Sequence, residues 1–132
     1  MTKILILIIL FFAAVEDIKK MEVGHIYPAS IFALSFANFF LKPYISLNFL
    51  LLNSLLVFGV LFLFWLLGGI GGGDVKVLTA LSLYAGFKIW SILLFSSVVF
   101  LLYSLILCNF RTKLPFMPAL FVGTIISFFA NF

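Results

Sequence analysis

Apolar residues fill this chain in long blocks, broken at short polar or glycine-rich points. A membrane-crossing helix needs roughly 20 apolar residues, with a range of about 17–25. On that scale the blocks predict six helices. The first covers about 1–15 and continues as helix through Glu16 and Asp17, which places these acids at the end of the apolar run, near or inside the membrane boundary. The second covers about 26–41 and is closed by Lys42-Pro43. The third, 45–67, is the clearest, with 23 uncharged residues. Five glycines in the six residues 68–73 then break the helix, because each costs backbone entropy. The fourth starts at Asp74 and reaches about Phe87, and the fifth covers about 89–108. After the basic loop Asn109–Lys113, the sixth begins near Pro115 and reaches the C-terminus. The division between the fourth and fifth, around 86–90, is the least marked. The blocks lack the period-two alternation of a closed barrel, and backbone groups in lipid need partners within their own segment, so helices are predicted throughout. The expected fold is all-α: a polytopic bundle of about six transmembrane helices, one domain over residues 1–132.

Composition supports the membrane reading. Of 132 residues, 66% are hydrophobic and 9% charged, against about 25% charged in an ordinary soluble domain. A fold in water could not hide that much apolar surface. The stretch Lys3 to Ala14 has some features of a secretory signal, but no small-x-small cleavage pattern follows and more apolar blocks do, so it reads as a retained first helix. The net charge of +4 comes from bases placed singly between apolar blocks, which marks topology and excludes a nucleic-acid surface. One face would hold Lys19, Lys20, Lys76, Arg111 and Lys113, and the other Lys3, Lys42 and Lys88. The richer face is expected to be cytoplasmic, with both termini outside. Cys108 is the sole cysteine and His25 the sole histidine, so neither can build a metal site with its own kind. Cys108 reads as a small buried hydrophobe and His25 as a loop residue. Trp65, Trp90 and Tyr103 read as core or interfacial aromatics.

Four acids remain: Glu16, Asp17, Glu22 and Asp74. Two complete predicted spans separate Asp17 from Asp74. Two spans make a hairpin, so both aspartates are expected at one membrane face. Two carboxyls brought within about 3 Å share a proton, one pKa rising. Such a pair can activate water with its ionised member and protonate a leaving group with the other. Each residue also has a plain reading. Asp74 could cap the fourth helix, and Asp17, beside Lys19 and Lys20, could be a solvated loop acid. Three glycines directly before Asp74 exceed what a turn needs, and they allow close approach by another backbone. An extended substrate paired as an added strand is one such partner.

Gly71-Gly72-Gly73-Asp74-Val75-Lys76 resembles the GxGDxK motif of the type IV prepilin peptidases, a family of GxGD aspartyl proteases. Asp17-Ile18-Lys19-Lys20 resembles that family's first motif, an aspartate followed by bases just after the first helix. Leu114-Pro115-Phe116-Met117-Pro118-Ala119-Leu120, with Gly123 beyond, resembles its Pro-Phe-x-Pro segment. The resemblance covers nearly the whole chain. It implies catalytic Asp17 and Asp74, with cleavage at the cytoplasmic face of the cell membrane. The substrates it implies are prepilin-like proteins, cut between a short basic leader and a hydrophobic N-terminal helix, with no metal or other cofactor. Gly71 and Gly73 are assigned to substrate backbone access. Lys76 favours the charged form of Asp74 or meets an acidic group near the substrate's cleavage site, or else is a snorkelling helix-end lysine. Pro115 and Pro118 would start or kink the sixth helix.

The chain departs from the family where an Ile-Pro-Asn-like element is usual, reading Val23-Gly24-His25 instead. That bears on substrate fit and leaves a degenerate, inactive peptidase as an alternative. It resembles the short, peptidase-only forms that lack the N-terminal cysteine metal domain, so product methylation is not expected. Two further readings compete. A presenilin-like protease cutting within helices would place a Tyr-Asp motif inside a span, whereas Asp17 is flanked by Glu16 and Ile18 at a helix end. A small transporter or scaffold would show a repeat or paired broken helices, and only one break is visible.

Overall fold

The computed structural model describes residues 1–20, 22–41, 46–107 and 115–130. Among these the chain forms six α-helices and no strand: α1 (Thr2–Lys20), α2 (Ile26–Leu41), α3 (Leu47–Leu66), α4 (Gly72–Ala85), α5 (Lys88–Leu107) and α6 (Met117–Phe129). The basic loop with Arg111 and Lys113, and also Lys42 and Cys108, lie outside the described residues.

The helix ends follow local chemistry. Lys19 and Lys20 occupy the last turn of α1, where cations complement the negative end of the helix. At the end of α3, Gly68 adopts φ +76°. Its N–H donates to the Trp65 carbonyl at 2.9 Å and that of Gly69 to the Phe64 carbonyl at 2.9 Å. This Schellman arrangement satisfies two of the last carbonyls and turns the chain out of the helix. α4 ends at Gly86, with φ +57° and its N–H on the Ser82 carbonyl. The least marked sequence boundary is therefore set by one glycine in a backbone conformation that other residues rarely adopt.

The described chain divides into two compact units. One contains Lys3–Val23 and Trp90–Phe132, that is α1, α6 and α5 from Trp90; the other contains Gly24–Ile89, that is α2, α3 and α4. In the first, α1 and α6 meet through Phe11 and Phe121, whose ring centroids are 5.7 Å apart. α5 lies so close to α6 that a Cβ on Gly123 would come within 2.7 Å of the Ser96 backbone nitrogen. In the second, α4 packs against both α2 and α3. Ser35 Oγ donates to the Ala80 carbonyl at 3.3 Å, and Asn53 Nδ2 donates to the Gly86 carbonyl at 3.0 Å.

Polarity within these helices is inverted relative to a protein in water. On α3 the buried face carries Asn53 and Ser54 beside Leu50, Val57 and Leu61, while Leu52 and Leu55 are each 67% exposed. On α5, Ser96 and Ser104 are buried while Leu94 and Leu101 are exposed. Lipid accepts exposed leucine, and small hydroxyl residues let helix backbones approach closely. α3 and residues Lys88–Ile106 of α5 have the length and hydropathy to cross a membrane. Twenty residues of helix span about 30 Å, the hydrocarbon thickness. The expectation of six spans goes beyond this. α2 and α6 are apolar but have 16 and 13 residues, α4 has 14, and α1 carries four charges near its end. A 14-residue helix covers only about 21 Å.

Candidate active site

Asp17 continues the buried stripe of α1. Ile6, Leu10, Ala13 and Ala14 precede it at helical spacing, and Asp17 is only 5% exposed. A carboxyl in that position has lost most of its water, so it needs a partner. It has one in the backbone N–H of Met117, which donates to Oδ2 at 3.1 Å across 100 residues of sequence. Met117 opens α6, and Phe116 before it makes no side-chain cap. Asp17 thus supplies a carboxyl acceptor to the positive end of α6, where N–H groups lack helical partners. Pro118, which has no N–H, occupies the first turn. Asp17 lies two residues beyond the apolar run of α1. Burial pushes its carboxyl above the ordinary aspartate value, and the backbone N–H groups of Met117 and Phe116 pull the other way. The neighbouring Glu16 has a different setting, half-exposed and 3.9 Å from Lys20 one turn on. Pro115 is buried ahead of α6.

Asp74 is the third residue of α4. Gly71 forms the extended N-cap without a side-chain hydrogen bond, and the Val75 N–H reaches its carbonyl at 3.3 Å. An acid in the first turn suits the helix dipole. Gly71 is exposed, and a Cβ there would stand 3.3 Å from Oδ2 of Asp74. Its φ is −73°, so sterics rather than backbone freedom give the glycine its value. A Cβ on Gly72 would meet Trp65 Nε1 at 3.5 Å. Gly73 is half-buried within the first turn.

Lys76 is exposed on α4, and its Nζ lies 3.3 Å from His25 Nδ1. His25, a loop residue by sequence, does sit in the turn before α2. Its contact with Lys76 bridges 51 residues, and nothing in the spacing announces it. Of the residues singled out in the sequence, the second unit gathers Gly71, Gly73, Asp74 and Lys76 around the start of α4; Asp17 belongs to the first unit, where it is held by α6.

The sequence profile of the type IV leader peptidase family matches residues 4–108. The chain belongs to that family. The matched stretch contains the Asp17 segment, the glycine run, Asp74 and Lys76, and it ends before the Pro115–Pro118 segment. No curated protein and no solved structure matches the chain. The type IV leader peptidase family places this chain among the peptidases, and with two helices able to cross a bilayer it is associated with the membrane.

Proposed function

We propose that this family member is a multi-pass aspartyl endopeptidase of the cell membrane. It removes the short leader of prepilin-like proteins at the cytoplasmic face, using Asp17 and Asp74 as a pair. The observation that carries this reading is the family match over residues 4–108, which takes in both aspartates. Counting α2 and α3 as a hairpin supports placing the two acids at one membrane face. The burial of Asp17, which pushes its carboxyl above the ordinary aspartate value, supports it as the protonated member of the pair. Asp74 as carboxylate takes a proton from water, whose oxygen attacks the scissile carbonyl carbon. Asp17 as acid supplies the proton that the leaving amide nitrogen requires as the C–N bond breaks. The products are the leader carboxylate and the free amine of the mature protein. Gly71 and Gly73 leave room for the substrate backbone, and Lys76 attracts an acidic group near the cleavage point.

A second reading of Asp17 has its own observation. Its bond to the Met117 N–H makes it the cap of α6. The deciding experiment co-expresses a prepilin-like substrate with wild type, Asp17→Asn or Asp74→Asn and follows leader removal by the mass of the product. Loss of processing with each change is expected. Retained processing with either one removes that residue from the chemistry and, for Asp17, leaves only the capping role.

A further inference from the structure

The second unit holds a groove of about 520 Å³ between α2 and α3, floored by α4. Ala29 and Phe32 form one wall, Leu51, Leu55 and Phe58 the other, and Leu83 lies at the far end. Two hydroxyls line it, and both are turned to backbone carbonyls of α4. Ser54 Oγ donates to the Thr79 carbonyl, and Thr79 Oγ1 donates to the Val75 carbonyl at 2.7 Å. The groove surface is therefore apolar, except for Lys76 at one end. An ammonium has no acceptor, so Lys76 donates to His25 Nδ1. In the neutral ring the remaining proton is then on Nε2. Lys76 keeps further N–H groups beyond that bond, and His25 offers a second donor beside it. Among the described residues, no carboxylate forms an ion pair with Lys76.

We infer that this groove, while no substrate engages Lys76, binds an anionic phospholipid, its phosphate at Lys76 and His25 and one acyl chain along α4 between Phe32 and Leu55. Charge complementarity selects the head, a paired cation and N–H donor on the face predicted to be cytoplasmic, where anionic lipid attracts bases. The apolar length of the groove, two helical turns from Lys76 to Leu83 or about 10 Å, takes the headgroup-proximal part of one acyl chain.

The test titrates the full-length protein in neutral detergent with phosphatidylglycerol or phosphatidylcholine and counts bound lipid by native mass spectrometry. A one-to-one phosphatidylglycerol complex is expected. Lys76→Gln should weaken it about fivefold, the effect of one lysine at an anionic headgroup, and bring it to the phosphatidylcholine level. Ala29→Trp, at an exposed position on the groove wall, should remove binding of both lipids. Lys20→Gln, far out on α1 and 71% exposed, should change nothing. Equal affinity for the two lipids, a preference that survives Lys76→Gln, or the same loss in Lys20→Gln would each overturn the site. So would displacement of phosphatidylglycerol by soluble glycerol phosphate, which has the head but no chain. Preferential occupancy by an added apolar helical peptide that Ala29→Trp excludes, with no lipid retained, would assign the groove to a polypeptide and end the lipid proposal.

Discussion

A methyl group on Gly71 would press on the Asp74 carboxyl from 3.3 Å while pointing into otherwise open space. Gly71→Ala is therefore expected to leave unfolding in detergent nearly unchanged, because φ −73° suits alanine. Leader cleavage should fall about tenfold or more, since small displacements at a reacting carboxyl are costly. Gly59 provides the contrast: nothing stands within 4 Å of a Cβ there, in the middle of α3. Gly59→Ala should raise the unfolding temperature, by about 0.5–1 kcal/mol in stability, with cleavage unaffected. Asp17 separates its two roles in a similar way. Asparagine keeps an oxygen for the Met117 N–H, whereas alanine does not. Asp17→Asn should retain the fold and lose cleavage. Asp17→Ala should lose cleavage and also about 1 kcal/mol of stability, the usual worth of a helix cap. Equal unfolding midpoints for the two variants would show that the cap contributes nothing.

The helices themselves were largely legible because lysine, proline and glycine punctuate the apolar blocks. The expected second helix coincides with α2, and the expected third, whose first residue lies outside the described ones, takes in the N-cap Ser46 and runs one residue past the end of α3. α4 begins two residues earlier than Asp74, since glycines can enter the first turn where Gly71 supplies the extended cap. What the sequence conceals is how helices meet. The Asp17 bond to Met117 and the Lys76 bond to His25 join residues 100 and 51 positions apart, and no periodicity encodes such pairs. Gly123 is intermediate: its place after the Pro-Phe-x-Pro-like segment was visible, but its reason was not. A Cβ there would lie 2.7 Å from the backbone nitrogen and 2.9 Å from the Cα of Ser96. Backbone cannot swing aside as a side chain can, so α5 and α6 would have to separate. Gly123→Ala should cost about 1–3 kcal/mol, as overpacking does, and a thermal unfolding curve unshifted from wild type would contradict the close crossing. Because α6 also presents the Met117 N–H to Asp17, the same variant should lower cleavage without touching either aspartate.

For the molecule as a whole, function depends on which helices cross the bilayer. α3 and α5 qualify by length and hydropathy alone. α1, α2, α4 and α6 are shorter or charged, and a 13-residue helix reaches only about 20 Å. They cross only if the bilayer thins, flanking lysines snorkel, or neighbouring helices shield their ends. Six crossings would put residue 20, after α1, and residue 69, after α3, on the cytoplasmic side, and residue 87, between α4 and α5, outside. If only α3 and α5 crossed, residues 69 and 87 would share one side, because α4 between them would not traverse. Impermeant maleimide labelling of single cysteines in a Cys108→Ser background distinguishes the two. Lys20→Cys and Gly69→Cys should label only after the inner face is opened, and Phe87→Cys should label in intact cells; all three positions are exposed. Equal protection of residues 69 and 87 would reduce α4 to a re-entrant or buried helix. Residue 20 labelling opposite residue 69 would put Asp17 and Asp74 at different faces, where no shared proton could join them.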